Sequence, residues 1–236
     1  MLSFGGSQEV EMNSELTTTS YAILAQVAVR PWSTYELAQQ RVRYYRYVWP
    51  RAESAIYREA KRLSAMGLIE GTREYTGKRP RTVYAITEAG KDALRAWLAT
   101  PIAPLSMDFE AMLRIFVCPL GTKEDALRTL EQVRADAQEM LRFAGEVKQE
   151  FLDGINVTQD QVYIRALAVD FFVSLLTTVD AWAKRTFEQV RSWDDLQPSD
   201  EKNAEGLEKM RNLPVATPGE PLKGVSVPPS SQTRSR

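Results

Sequence analysis

The feature that most constrains the fold of this chain is a seam of apolar residues over residues 126–151. Apolar side chains recur there at alternating spacings of four and three residues, which places them on one side of a long helix. The seam consists of Ala126, Leu130, Val133, Ala137, Met140, Ala144, Val147 and Phe151. Because such a helix must bury its apolar side against a partner, the second half of the chain is predicted to be all-helical.

A second long helix is predicted over residues 162–193, opened by a capping box of Thr158 and Gln161. Its apolar positions cover more of the helix circumference than one neighbouring helix can hide. We therefore expect one side to pack on the first long helix, as an antiparallel coiled coil, and another side to pack on a second copy of the chain. The predicted dimer interface consists of Phe171, Leu175, Val179 and Trp182.

Residues 14–100 carry the signals of three shorter helices. A run of threonines caps the first, and a capping box of Ser33 and Glu36 opens the second. The third follows Pro50, a residue that suits the first turn of a helix, and ends at Gly67, a residue that suits a helix C-terminus. Its buried stripe is predicted to be Ile56, Ala60, Leu63 and Met66.

Two strand-like runs follow the third helix, at residues 68–75 and 82–87, and enclose a loop at residues 76–81 that contains Gly and Pro. With the helix that comes next, the order is that of a winged helix-turn-helix, whose third helix enters the major groove of DNA. The predicted fold class is therefore mainly α, a winged helix-turn-helix domain followed by an all-helical antiparallel coiled-coil dimerisation domain.

Two basic elements of this predicted fold are candidates for contact with DNA phosphates and bases. On the third helix the candidates are Arg51, Ser54, Tyr57, Arg58 and Lys61. In the hairpin loop they are Lys78, Arg79 and Arg81. Solvated Lys and Arg side chains are also common on ordinary helices, so the two basic elements together are a stronger signal than either one.

The net charge of −1 conceals an asymmetry between the two halves of the chain. Residues 14–99 hold 14 Lys and Arg against 8 Asp and Glu, whereas residues 100–236 hold 16 against 21. A basic half beside an acidic half suggests an anionic partner for the first, with nucleic acid or a membrane surface as the usual candidates. Combined with the winged-helix pattern, this charge favours double-stranded DNA, and random charge scatter is the alternative reading.

The residue types argue against an enzyme and against a metal site. The chain has no histidine, the commonest general base near neutral pH and the commonest transition-metal ligand. Its one cysteine, Cys118, has no thiol partner, and no Gly-rich phosphate loop is present. We therefore expect no catalytic residues, no metal and no cofactor.

The two ends of the chain differ in composition from the middle. Residues 1–13 are predicted to be a flexible arm, and residues 198–236, rich in Pro, Ser, Gly and charge, a disordered tail. Between them we expect a DNA-binding domain at residues 14–100 and a helical domain at residues 105–195. No leader is recognisable and no apolar run approaches the ~18 residues of a membrane span, so a cytoplasmic protein without membrane contact is expected.

Several stretches resemble the PadR family of bacterial transcriptional regulators. They are SYAILAQVA, STYELA, IYREAKRLSAMGLIE and YAITEAGKDAL, which occur in this order over residues 17–99, with the basic hairpin before the last. The stretch VWPRAESAIYRE is similar to the subgroup that includes virulence activators, whose longer chains end in an all-helical dimerisation domain. The resemblance implies a homodimer that places two winged helices on a near-palindromic operator. It also implies that Tyr57 matches the family's backbone-contacting tyrosine and that Tyr35 matches the tyrosine of its second helix.

Members of this family often respond to small aromatic or hydrophobic molecules, which implies an effector pocket. Its candidate lining residues are Trp97, Phe109, Met112 and Phe116, with ordinary core packing as the alternative reading. The expected function is a DNA-binding transcriptional regulator, a repressor released by such an effector. A winged-helix protein-interaction scaffold without sequence-specific DNA binding is the alternative.

Overall fold

The first half of the chain folds as a winged helix. The computed structural model describes residues 16–40, 53–77, 79–105 and 107–214. In the first of two compact units, Met1–Ser106, the elements are α1 (Thr18–Val29), β1 (Trp32–Ser33), α2 (Thr34–Gln40), α3 (Glu53–Ala65), β2 (Ile69–Thr76), β3 (Arg79–Ile86) and α4 (Glu88–Leu98). This order confirms the predicted winged helix. The predicted start of the third helix after Pro50 lies outside the described residues.

Local capping interactions begin the first two helices. The Thr17 side chain accepts a hydrogen bond from the Ser20 amide at 3.3 Å, and the Thr17 amide donates to Ser20 Oγ at 2.8 Å. The predicted capping box of α2 is confirmed, because the Ser33 amide donates to Glu36 Oε2 at 2.8 Å and the Glu36 amide donates to Ser33 Oγ at 3.2 Å. Each box satisfies backbone donors that the first turn of a helix leaves unpaired.

The wing is a three-stranded antiparallel sheet in the order β1-β3-β2. Strands β2 and β3 pair from Ile69 opposite Ile86 to Thr76 opposite Arg79. The prediction of a six-residue loop is therefore wrong: the strands extend to a tight turn at Gly77, whose φ is +62°, and Arg79 and Arg81 belong to β3. Pro80 is tolerated there because β1 pairs with β3 only at residues 83 and 84.

The core of the first unit lies between the helices and the sheet. Its buried hydrophobic residues are Tyr21, Ile23, Leu24, Val27, Trp32, Leu37, Ile56, Ala60, Leu63, Leu68, Ile69 and Tyr84. Helix α4 approaches this core closely at Gly90, where a Cβ atom would lie 2.1 Å from the carbonyl oxygen of Leu68. The backbone of α4 thus packs directly against the segment that follows α3.

The second unit, Met107–Arg236, is all-helical in its described part. Its helices are α5 (Glu110–Phe116), α6 (Lys123–Leu152), α7 (Val162–Ser192) and α8 (Asp200–Arg211). Helices α6 and α7 are antiparallel, since Lys123 Nζ donates to the Arg191 carbonyl at 2.9 Å and Gln138 Nε2 donates to Asp180 at 3.0 Å. The predicted helical hairpin is therefore confirmed.

The predicted seam of α6 forms the contact with α7. Ala126, Leu130, Val133, Ala137 and Val147 are buried, and the other seam residues are half-buried. Helix α7 begins at the predicted residue, Val162, but the predicted capping box is wrong, because Thr158 makes no capping hydrogen bond. The buried Asn156 side chain organises this loop instead, accepting hydrogen bonds from the Thr158 amide at 3.0 Å and its hydroxyl at 2.9 Å.

A short helix occupies part of the predicted disordered tail. Ser199 caps α8, its side chain accepting from the Lys202 amide at 3.2 Å, and Lys202 Nζ lies 2.6 Å from Asp195 Oδ1. The Trp193 indole donates to Glu205 at 3.2 Å. The prediction of disorder is therefore wrong over residues 200–211, where capping and contacts with the preceding turn replace a large core. Residues 215–236, like the predicted arm at residues 1–13, lie outside the described residues.

Candidate nucleic-acid interface

Helix α3 has one buried side and one exposed side. Ile56, Ala60 and Leu63, spaced by four and three residues, lie in the core with 1% exposure or less. The side chains of Ser54, Arg58 and Lys61 are exposed. Because the core determines which side of the helix is buried, these three predicted contact residues project into solvent.

Two tyrosines flank this exposed side. Tyr35 on α2 is 65% exposed, whereas Tyr57 on α3 is half-buried. Tyr57 lies one turn after Glu53 in α3, so the two side chains face each other. The pKa of Tyr57 lies above the ordinary value because the hydroxyl is partly desolvated, and further because the Glu53 carboxylate and, more weakly, Tyr35 oppose its ionisation.

Arg62 does not belong to the exposed basic side of α3. Its guanidinium donates to Glu59 from Nε at 3.0 Å and from Nη2 at 2.8 Å, and Nη2 lies 3.1 Å from Ser20 Oγ. The fully buried Ser20 also donates to Glu59 Oε1 at 2.5 Å. These hydrogen bonds lower the pKa of Glu59, with that from Arg62 the largest cause. Ser20, Glu59 and Arg62, which we call the α1–α3 clamp, thus join residues about forty positions apart, which no local spacing indicates.

The wing adds basic side chains of its own. Arg81 on β3 lies 2.8 Å from Glu74 on β2, and both side chains remain partly exposed. The guanidinium of Arg73, which we did not predict as a contact residue, stands over the Tyr75 ring at 5.8 Å from its centroid. The alternation along β2 could have indicated this pair. Arg51, Lys78 and the side chain of Arg79 lie outside the described residues.

Two of the four predicted effector-pocket residues, Trp97 and Phe109, have aromatic partners within their own units. In the first unit Trp97 stacks on Tyr21 with ring centroids 4.7 Å apart, and in the second Phe109 packs edge-on against Trp182 at 6.4 Å. Met112 is half-buried and Phe116 is 73% exposed. An open groove of about 470 Å³ in the second unit is lined by other residues, including Arg114, Leu120 and Arg128. The effector pocket stays a prediction.

The predicted dimer residues lie along α7 with different exposures. Phe171 is 56% exposed, Leu175 and Val179 are half-buried, and Trp182 packs partly on the core of the second unit. Exposed apolar side chains that we did not predict extend this stripe toward the start of α7. They are Tyr163, Ile164 and Leu167.

Residues 159–192 form a helical stretch that is long and apolar enough to cross a membrane by length and composition alone, and the mean hydropathy of its most apolar window of 18 residues is 1.7. We expected no apolar run to approach the length of a membrane span, and by mean hydropathy this expectation is wrong. Charged residues such as Arg165 and Asp170 interrupt the apolar run, but the mean hydropathy of the window stays high. Only 6% of that window is buried. In the described part of the chain, no group of three or more His, Cys, Asp or Glu residues could hold a metal ion.

Part of the winged helix is similar to a known protein family. Residues 23–96 match the model of the "Transcriptional regulator PadR-like family". A curated relative, the "Probable transcriptional regulator Rv1176c" of Mycobacterium tuberculosis, is 32% identical over 85 residues. That match covers 36% of this chain and 45% of the relative, so the chain spans about half the length of the curated protein it matches.

Solved structures share the fold over a longer part of the chain. A PadR-like transcriptional regulator from Bacillus cereus is similar with a TM-score of 0.63 and 12% identity, covering 74% of this chain and 99% of that one. Bacillus subtilis PadR in complex with operator DNA has a TM-score of 0.60 and 18% identity, with the same coverages. In complex with p-coumaric acid it has a TM-score of 0.56 and 19% identity, covering 75% and 100%. At these identities the similarity is one of fold.

Proposed function

We propose that this protein is a PadR-like transcriptional repressor that binds a near-palindromic DNA operator as a homodimer, because residues 23–96 of its winged helix match the PadR-like family model. It acts in the cytoplasm, on double-stranded DNA. Helix α3 enters the major groove and the wing lies against the phosphate backbone.

The observation that carries this proposal is the exposed side of α3. Arg58 and Lys61 project from it beside Ser54, while the opposite side fills the core. Arg can bridge the O6 and N7 acceptors of guanine, and Lys neutralises phosphate charge. Because one side of α3 is buried and the other is exposed, the exposed side presents base-reading and phosphate-binding groups together.

Tyr57 and the wing supply the second part of the interface. Tyr57 is only half-buried, so its ring and hydroxyl are accessible beside the exposed side of α3. Arg79 and Arg81 belong to β3 of the wing and, with the predicted contact residue Lys78, bind a second stretch of the DNA backbone. Tyr35 joins Tyr57 as a contact to the sugar-phosphate chain.

The exposed stripe of α7 supports the homodimer. Phe171 and the exposed Leu167 belong to a surface that α6 does not cover, and a second copy of α7 would cover it. A membrane-spanning α7 fits the contacts less well. Asp180, near the middle of α7, accepts a hydrogen bond from Gln138 of α6 and lies 3.5 Å from Arg134, so the helix is bound by polar contacts to a charged neighbour.

We also propose release from DNA by a small aromatic or hydrophobic effector. Support comes from the aromatic residues Trp97, Phe109 and Phe116, with Met112, and from the p-coumaric acid bound by the Bacillus subtilis relative. Titration with p-coumaric acid, followed by tryptophan fluorescence, is expected to quench Trp97 or Trp182. If the fluorescence spectrum is unchanged up to about 1 mM p-coumaric acid, any binding is weaker than about −4 kcal/mol. The proposed release by this class of effector would then have no support.

The experiment that tests the DNA-binding function is an electrophoretic mobility shift with the region upstream of the protein's own gene. We expect a discrete complex whose affinity falls steeply with salt, because phosphate contacts release counterions. The alternative, a protein-interaction scaffold, does not require retention on duplex DNA or heparin with a steep salt dependence. Flotation with anionic vesicles separates both outcomes from membrane insertion, in which the protein would rise with the lipid.

A further inference from the structure

An acidic side chain stands at the edge of the proposed DNA-binding side of α3. Glu53 begins the helix as described, and its side chain is exposed. Side chains four residues apart face each other on a helix, so its carboxylate lies on the same side as Tyr57. A negative charge is thus placed beside a tyrosine that we propose to contact the DNA backbone.

The other carboxylate of α3 is differently placed. Glu59 belongs to the α1–α3 clamp, where Arg62 compensates its charge at 2.8 Å. Helical spacing places Glu53 about 120° away from Glu59 on the helix circumference and within about 40° of Tyr57. Of the two acidic residues in the described part of α3, Glu53 is therefore the one on the same side of the helix as Tyr57. The next exposed residue along that side is Lys61.

This arrangement has a cost when DNA approaches. Duplex DNA carries one negative charge per about 1.7 Å of its axis, so a carboxylate at the interface is repelled whatever the sequence. This repulsion weakens binding to every sequence alike.

One kind of base offsets this cost. The first residues of a recognition helix are those that reach base edges. Cytosine presents only an amino-group donor, N4, in the major groove, whereas the N6 donor of adenine stands beside the N7 acceptor, which repels a carboxylate. A carboxylate here is favourable only opposite cytosine.

We propose that Glu53 is a specificity-determining residue, which suppresses sequence-independent binding and accepts a hydrogen bond from cytosine N4 in the operator. This inference rests on the proposed DNA-binding function.

The test compares Glu53→Gln with Glu70→Gln in the full-length protein. Glu70 is exposed on β2, so its substitution removes the same charge from the same unit. Fluorescence anisotropy with a 24-bp duplex of mixed sequence (about two helical turns) is expected to show Glu53→Gln binding roughly three- to tenfold tighter than wild type at low salt. Glu70→Gln is expected to stay within about twofold of wild type. Circular dichroism confirms that both variants are folded.

Selection from a randomised duplex pool provides the second measurement. Wild type is expected to enrich a cytosine position in each half-site that Glu53→Gln no longer enriches. The inference is overturned if Glu53→Gln gains no more affinity for mixed-sequence DNA than Glu70→Gln, or if both proteins select the same bases. If the wild-type protein binds no duplex and enriches no sequence, that result overturns the proposed DNA-binding function itself.

Discussion

Three side chains of the α1–α3 clamp decide how α3 is held against the first helix. Glu59 receives two hydrogen bonds from Arg62 and one from Ser20, and its side chain is only 13% exposed. Hydrogen bonds to a charged group contribute about 1.5–3 kcal/mol when partly buried. The clamp therefore stabilises the helix that we propose to bind DNA without contacting DNA itself.

Replacing Glu59 by Gln is expected to lower the free energy of unfolding by about 1–2 kcal/mol at neutral pH. The pKa of Glu59 is lower in the folded state than in the unfolded chain. The contribution of its charge to the free energy of unfolding is therefore fully present above the pKa that Glu59 has in the unfolded chain, and it is lost as the pH falls through the pKa that Glu59 has in the folded state. Urea unfolding at neutral pH and at about pH 3 checks this. The difference between wild type and Glu59→Gln should shrink in acid, and an equal difference at both pH values would contradict the role of the charge.

Arg58 and Arg79 are expected to differ in what their loss changes. Arg58→Ala should relax discrimination at one base pair by about 1–3 kcal/mol. Arg79→Ala should weaken binding to all sequences and reduce the salt slope by about one. Anisotropy titrations with operator and altered duplexes measure both. Arg95→Ala, at an exposed position of α4, is the control, and an effect of that substitution as large as theirs would disprove the assignment.

At the scale of elements, α4 and α6 use glycine for opposite reasons. A Cβ on Gly90 would collide with the Leu68 carbonyl oxygen at 2.1 Å, so glycine there permits close packing of α4. Gly145 of α6 has no atom within 4 Å of its Cβ position, so glycine there only lowers helix propensity.

The substitutions Gly90→Ala and Gly145→Ala are therefore expected to act in opposite directions. Gly90→Ala should destabilise the first unit by more than about 2 kcal/mol, through a clash that backbone cannot easily relieve. Gly145→Ala should stabilise the second unit by about 0.5–1 kcal/mol. Thermal unfolding followed by circular dichroism measures both. A neutral Gly90→Ala would mean that α4 can move away from Leu68 at little cost.

For the whole molecule, the uncovered side of α7 is the feature with the largest consequence. The described second unit buries Leu176, Ala183 and Val190 but leaves Leu167 and Phe171 largely exposed. Exposed apolar surface of this kind is typical of an interface. A homodimer would also supply the two winged helices that a palindromic operator requires.

Phe171→Glu is expected to shift the protein toward monomer, with the dimer dissociation constant raised by at least about tenfold. Thr177→Glu adds the same charge at an exposed position that helical spacing places about 120° from Phe171, and it should leave the dimer intact. Sedimentation velocity measures both. Equal behaviour of the two variants would place the interface elsewhere.

Local signals in the sequence determined the elements themselves. The Ser33 and Glu36 capping box, the apolar stripe of α3 and the seam of α6 all depend on side chains three or four residues apart, so the chain encodes them without reference to distant residues. The exposed candidates Ser54, Arg58 and Lys61 followed from that stripe. Local reasoning failed where a competing partner was close by, as when Asn156 took the place of the predicted Thr158 cap.

Only the tertiary structure decided which distant groups meet. Ser20 lies 39 residues from Glu59 in the chain, yet its hydroxyl contacts that carboxylate at 2.5 Å. The register of β2 and β3 placed Arg81 beside Glu74 in a strand pair rather than in a loop. Helical periodicity indicates that a side is apolar, but which side of α7 is covered by α6 and which is left open depends on packing between elements, because burial is a property of neighbours in space.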